Sequence, residues 1–282
     1  MIENTGAERT QVPPTFTLED RPAAYSVIAE LLRLQAEVAP RTALKRFFGV
    51  RPLHADAASW FSGAHGELKV GALLSRLGTE WTVLHAVPAG TGDSDIDHVA
   101  IGPAGVFTIN TKRHRGQKIW VGNHVLMVGG HKTDHLRNSR HEAARAAERL
   151  TAAAGIPVDV HPIVAIVDAA PFTVKQSPSE VSVMDARSLR RWLKRRKALL
   201  DPETVQRISD AAMDSRIWHA APDLTVDPTY LERFHALNRE VNRARIARVL
   251  WALAVMIGIG FVAVVYVIPV LTSVLVAAIT GA

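Results

Sequence analysis

The chain has 282 residues, 33 Lys plus Arg against 27 Asp plus Glu, a formal charge of +6 and no cysteine. The missing thiols exclude disulfides, cysteine-ligated zinc fingers and thiol catalysis, and suit a reducing compartment. The basic balance admits a polyanionic partner, either nucleic acid or an anionic lipid surface. Arginine outnumbers lysine and alanine is abundant, the composition of a GC-rich bacterial coding sequence.

Residues 1–20 are polar with Pro13 and Pro14 and are expected to be disordered. They contain no apolar core of a signal peptide. Residues 21–56 read as a helical arm and a basic linker. In the arm, Ile28, Leu31, Leu32, Leu34 and Val38 recur at helical spacing until Pro40. The linker carries Arg41, Lys45, Arg46 and Arg51.

Residues 57–77 have helical periodicity through Leu68, Leu73, Leu74 and Leu77, with Gly78 beyond the end. Strands are predicted over 81–87, 96–101 and 106–111. A Gly/Asp/Ser loop over 90–94 separates the first two, and Gly102-Pro103-Ala104-Gly105 turns the chain between the others. Residues 118–121 and 125–128 read as a second hairpin around Gly122-Asn123. A long helix over 134–154 ends at Gly155, and the apolar run 163–167 reads as a buried strand. A short strand over 181–184 and a basic helix over 186–200 follow. This order predicts an α/β fold, a mixed sheet flanked by helices.

From Val249 to Ala282 there is no Asp, Glu, Lys or Arg. About 20 apolar residues cross a bilayer, so one transmembrane helix over 247–279 is predicted as an anchor. Pro269, with Gly258 and Gly260, is expected to be able to kink or break it. Arg239, Arg243, Arg245 and Arg248 precede the run. They place the bulk of the chain on the cytoplasmic side of a single span at the cell membrane.

The chemistry-bearing residues cluster around the 102–105 turn. If residues 102 and 105 pair, Asp97 lies opposite Asn110 and Asp95 opposite Lys112. Alternation then puts Asp97, Asn110 and Lys112 on one face, a grouping that a one-residue slip would destroy. An acid, an amide oxygen and a lysine suit a hard cation and a phosphate. Glu67, on the preceding helix, offers a further carboxylate. The bland alternative is a surface Asp95–Lys112 pair with Asn110 as a strand-edge residue.

Several short pieces in this region carry a family resemblance. They are Gly63-Ala64-His65-Gly66-Glu67 with Val70-Gly71, Ser94-Asp95-Ile96-Asp97-His98-Val99, Gly102-Pro103-Ala104-Gly105-Val106-Phe107 and Ile109-Asn110-Thr111-Lys112. Together they resemble the nuclease-related domain (NERD) family, with similarity reaching to about residue 170. The resemblance implies a restriction-endonuclease-like core of the PD-(D/E)xK type, placed over residues 57–175 and followed by a basic helical region over 176–246. Carried over residue by residue, Asp97 is the metal-binding acid, Lys112 the catalytic lysine and Glu67 the helix carboxylate. Asn110 stands where the pattern has its middle acid, so it would bind magnesium through an uncharged oxygen.

The implied function is magnesium-dependent phosphodiester hydrolysis of nucleic acid at the cytoplasmic membrane face. The alternative is a catalytically inactive, membrane-tethered module that binds nucleic acid or protein. Arg113, His114, Arg137 and Arg140 are candidate nucleic-acid contacts. His131 and His135 read as surface residues, because the acid of a zinc-protease motif is missing between them. The 186–200 helix, with Arg187, Arg190, Arg191, Lys194, Arg195, Arg196 and Lys197, is expected to meet anionic lipid, with nucleic acid as its alternative. No phosphate-binding G-x-x-x-x-G-K-[ST] loop and no dinucleotide fingerprint is present. Gly90-Thr91-Gly92 is only a weak phosphate candidate.

Overall fold

A computed structural model describes residues 18–89, 95–219 and 226–281. The glycine-rich 90–94 loop and most of the predicted disordered N-terminus lie outside these residues. In chain order the elements are α1 (Tyr25–Ala36), α2 (Ala43–Phe47), α3 (Ala57–Leu74), β1 (Thr82–Pro88), β2 (Asp95–Gly102), β3 (Gly105–Arg113), β4 (Ile119–Val121), β5 (Leu126–Val128) and β6 (His131–Thr133). There follow α4 (His135–Ala154), β7 (Val160–Val167), β8 (Phe172–Val174), β9 (Ser182–Asp185), α5 (Ala186–Arg195), α6 (Pro202–Met213), α7 (Tyr230–Val262) and α8 (Ile268–Thr280). They divide between two compact units. One comprises the chain up to Leu31 with Ser59–Tyr230; the other comprises Leu32–Ala58 with Leu231–Ala282.

The first unit is built on a five-stranded sheet in the order β1-β2-β3-β7-β9. Neighbours β1, β2 and β3 run antiparallel, whereas β3, β7 and β9 run parallel. The parallel step from β3 to β7 needs a long crossover, and α4 supplies most of it. Ala146 and Leu150 of α4 and Ile208 and Ala212 of α6 bury one face of the sheet against Val99, Ile101 and Val106. On the other face, Val70 and Leu74 of α3 and Leu189 and Leu193 of α5 meet Phe107, Ile109 and Ile163. Strand β7 shows why both faces need cover. Ile163, Ala165 and Val167 join the α3/α5 layer, while Val164 and Ile166 pack with Leu136 on the opposite side.

Two expectations change here. Residues 18–20 form a turn, and Leu18 is fully buried in the core, so the chain is structured before residue 21. The basic helix stops at Arg195 rather than Leu200, with Arg196 extended. The Leu199 and Leu200 amides then donate to the Pro103 carbonyl at 2.7 and 3.0 Å, partners they would not find in a longer helix. The second hairpin grows into a four-stranded sheet, β6-β5-β4-β8. Strands β6 and β8 are three residues each, too short for a period to show.

In the second unit, α7 passes through a π-helical stretch, Ala263–Val267, into α8. Pro269 lies just beyond that stretch. Proline has no N–H and crowds the carbonyl four residues back, and a π turn relieves both without ending the helix. The helical stretch Tyr230–Val276 is long and apolar enough to cross a membrane, and its apolar part is not buried. Thr272 Oγ1 and Ser273 Oγ donate to the carbonyls of Pro269 and Val270 at 2.9 and 2.8 Å. Both hydroxyls are thereby satisfied within the helix.

Candidate active site

The hairpin register positions the site. Gly102 pairs with Gly105 and the ladder continues to His98 opposite Ile109. Beyond that pair Asp97 meets β3 through its side chain, whose Oδ2 accepts the Thr111 backbone N–H at 2.5 Å. Asn110 lies on the same side of β3 as Val106, toward α4. There its Nδ2 donates to both carboxylate oxygens of Glu142, at 2.8 and 2.9 Å.

Glu67 reaches the same group from α3. Gly66 makes this possible: a Cβ there would meet Thr111 Cγ2 at 3.1 Å and Arg113 Cβ at 3.2 Å, tighter than ordinary contact. The bare backbone lets α3 lie on the end of β3 and carries Glu67 into the protein, where it is only 6 % exposed.

Three acids thus act electrostatically on one another and feel the charge of one lysine. Burial raises Glu67 well above its usual range, repulsion from Asp97 adds to this, and the Lys112 ammonium works against both. Burial likewise raises Asp97, opposed by Lys112 and by the Thr111 hydrogen bond. Glu142 is raised by burial, against the Asn110 hydrogen bond, and Asp97 raises it further. Carboxyls whose titration is raised together in one region mark a functional-site candidate.

Asp95 does not pair with Lys112. Its Oδ2 accepts from Arg21 Nη2 at 3.3 Å and from Ser26 Oγ. The hairpin diverges past His98, and α1 offers Asp95 nearer partners. Among the described residues, the Asp95–Lys112 surface pair of the bland alternative is not formed.

The histidines separate into two pairs. His98 is fully buried, and its Nδ1 lies 2.8 Å from Nδ1 of His85. Burial lowers His85 to about 4 and His98 well below its usual range, so the pair is neutral packing. His114 and His135 stack at 5.4 Å, with their Nε2 atoms 3.3 Å apart. Burial and then the Lys112 charge lower both, His135 to about 4. His135 is therefore no surface residue. The α4 start brings it against His114 beside Lys112, a contact that the four-residue spacing to His131 hides.

The expected nucleic-acid contacts do not all converge. Arg113 Nε donates to Asp168 Oδ2 at 2.7 Å, and Lys69 Nζ to Asp168 Oδ1 at 2.6 Å. Burial pushes the Asp168 carboxyl up, but these two hydrogen bonds hold it below its usual range. Asp168 has a φ of 57°, a conformation that Asp tolerates better than most residues. Arg137 pairs with Asp134 at 3.3 Å and Arg140 with Glu180 at 2.7 Å, both as exposed ion pairs. Of the four, His114 feels the charge of Lys112.

Glu142 is the member that sequence reading missed. On α4 it sits among arginines at helical spacing, the pattern of a solvated face. The one available signal was Asn110 itself, a buried amide in a strand that must find a partner.

The donor chemistry suits magnesium. The ligands are oxygens, and such ions are held by one or two carboxylates with water completing the shell. Asn110 Oδ1 is buried without a hydrogen-bond partner among the described residues, an orphan acceptor that a cation or its water would satisfy. Among the described residues, no three His, Cys, Asp or Glu side chains are already gathered to hold a metal by themselves.

Residues 62–167 match the family model described as the nuclease-related domain, NERD. That span contains β1 to β7, α4, most of α3 and all of the gathered site residues. No curated protein and no solved structure matches the chain.

Proposed function

We propose that this nuclease-related domain hydrolyses phosphodiester bonds of nucleic acid with magnesium, using Asp97, Glu67, Asn110, Lys112 and Glu142. The observation that carries this reading is the bidentate contact of Asn110 with Glu142. It returns a carboxylate, from α4, to the strand position where the nuclease pattern has an acid and this chain has an amide. A bound magnesium would be held by oxygens of Asp97, Glu67 or Glu142 and the Asn110 amide, and would supply positive charge and a more acidic water.

The protein side chains do the rest. Lys112, held among the acids, orients the attacking water and stabilises charge growing on the phosphoryl oxygens. In the reaction the water oxygen bonds to phosphorus as the P–O ester bond breaks; a nearby base takes one water proton, and the departing alkoxide takes a proton from solvent to leave as an alcohol. The raised Glu142 carboxyl and the neutral His114–His135 pair are both positioned to take or relay it.

We further read α7–α8 as a single span at the cell membrane, with the bulk of the chain cytoplasmic. The uncharged run from Val249 and the arginines just before it support this. Helix α5 spends its apolar side in the core, where Ala186, Leu189 and Leu193 are buried. Its basic side is therefore a second surface for a polyanion, by charge alone and without insertion.

The full chain in detergent, given magnesium and single- or double-stranded DNA and RNA, should cut at least one substrate. Glu142→Gln and Lys112→Ala should each abolish cutting while leaving the fold intact by circular dichroism. Wild-type protein that binds nucleic acid but cuts none of the four would instead support a catalytically inactive module. The uncharged Asn110 and the absence of a ready-made three-ligand group among the described residues favour that second reading.

A further inference from the structure

The second unit carries an apolar feature that the span itself does not explain. Residues 41–50, containing α2, run along the beginning of α7. Arg41 Nε donates to Glu240 Oε1 at 2.9 Å, and Arg41 Nη1 to the Val50 carbonyl at 2.8 Å. Gly49, with φ +65°, lies so close to α7 that a Cβ would collide with the Ala244 carbonyl and meet Ala247 Cβ at 3.0 Å. Trp251 Nε1 donates to the Phe47 carbonyl at 3.1 Å. The rings of Phe47, Phe48 and Trp251 form a cluster with centroids 5.0 to 5.1 Å apart. The segment therefore follows α7 from Glu240 to Trp251, about 16 Å of helix.

A segment held this firmly would ordinarily turn its apolar groups inward. Here they point out: Leu44 is 67 % exposed and Phe47 60 %, with Phe48 and Val50 also exposed. Lys45 and Arg46 are exposed between them. The position along α7 matters more than the exposure. Arg248 is the last charge on the helix, and Trp251 is the first aromatic residue of the uncharged run. The cluster thus sits where basic helix gives way to lipid-facing helix, the level at which amphipathic rings settle in a bilayer. Its exposed surface is continuous with the unburied span, and its charges complement anionic headgroups.

We infer that residues 42–50 form an interfacial foot. Leu44, Phe47 and Phe48 enter the boundary between headgroups and acyl chains beside Trp251, and Lys45 and Arg46 bind the phosphates of an anionic bilayer. The foot rests on the reading of α7–α8 as a membrane span. Its effect is to hold α7 at a set depth, which a featureless apolar helix does not do alone.

The chain has no cysteine, so single cysteines can be labelled uniquely. Leu44→Cys and Gly258→Cys are suited to this: Leu44 is largely exposed, and a Cβ at Gly258 meets nothing. Exposed Arg137→Cys serves as the aqueous reference. Each full-length variant is spin-labelled and reconstituted in vesicles of phosphatidylcholine with phosphatidylglycerol. Accessibility to oxygen and to an aqueous nickel chelate is then measured.

The expected result is a deep label at 258 and a shallow one at 44, several-fold less accessible to nickel than the label at 137. Lys45→Gln with Arg46→Gln should raise nickel access at 44 to the level found in pure phosphatidylcholine. A label at 44 as open to nickel as that at 137, with 258 still deep, overturns the foot and leaves the span standing. An open label at 258 removes the span and the foot together. Shielding at 44 accompanied by spin–spin broadening assigns the patch to a second copy of the chain and overturns the lipid reading. An unchanged label in the Lys45/Arg46 variant overturns the role of anionic lipid.

Discussion

The site end of the sheet and the start of α7 depart from ordinary protein chemistry in opposite ways. Around Lys112, the first unit buries Glu67 and half-buries Asp97 and Glu142, and lost hydration raises all three carboxyls. Around Trp251, the second unit leaves leucine and phenylalanine in the open. Buried charge and exposed apolar patches are the two informative exceptions to the usual distribution, because each costs stability unless something outside the chain offsets it. Under the proposed function the missing term is positive charge in one region and hydrocarbon in the other.

The sharpest way to break the first half of this contrast is Lys112→Ala. If the acids exist to serve a cation and a phosphate, magnesium-dependent cutting should fall by about 10² to 10³-fold, the usual scale for losing one preorganised electrostatic group. Single-turnover cleavage at saturating enzyme measures it, and an unchanged rate would reduce the cluster to packing.

The second half is tested by Ile257→Arg. A charge near the centre of a span costs about 2.5 to 3.5 kcal/mol of insertion free energy, roughly a 10²-fold shift in the inserted fraction. Glycosylation mapping of the C-terminal end in a translocation assay reads this directly. Equal insertion of both forms would count against the span.

Glu67→Gln sharpens the electrostatic side. The Glu67 carboxyl titrates higher in the folded chain than in the unfolded one. Its contribution to stability is therefore present in acid and is lost as pH rises through the raised folded value. The glutamine variant should melt above wild type in chelator, with the gap widening as pH rises and amounting to about 1 to 3 kcal/mol at neutral pH. Added magnesium should close the gap by stabilising wild type only. His85 and His98 act in the opposite sense, losing stability as pH falls below their usual range, His85 through about 4. They are common to both proteins and cancel in the difference.

The smallest effect belongs to Arg140→Ala. Its pair with Glu180 is exposed and should be worth at most about 1 kcal/mol in a chemical melt. The informative readout is the salt dependence of nucleic-acid binding. A shallower slope would make Arg140 a phosphate contact, and an unchanged one leaves it a surface pair.

Much of the site was legible before any coordinates. The turn at Gly102–Gly105 set the register of β2 on β3 as far as His98 and Ile109, and Asp97 then meets β3 by accepting the Thr111 N–H. Turn type and register are local rules acting over few residues, and they hold wherever the turn chemistry is clear. What failed was anything that depended on a partner far away in sequence. Asp95 prefers Arg21 and Ser26 over its cross-strand neighbour, and His135 stacks on His114.

The sequence by itself determined the long uncharged helix, the order of helices and strands, and the nuclease-related hairpin. Hydropathy, period and turn type are properties of a short stretch of chain. Only the tertiary structure decided that Glu142 leaves an apparently solvated helix face to meet Asn110, and that Phe47 and Phe48 gather on Trp251 instead of lying in a basic linker. The first contact spans 32 residues and the hydrogen bond from Trp251 to Phe47 spans 204. No local rule reaches that far. Such contacts follow from how the layers and helices pack, not from any short stretch of chain.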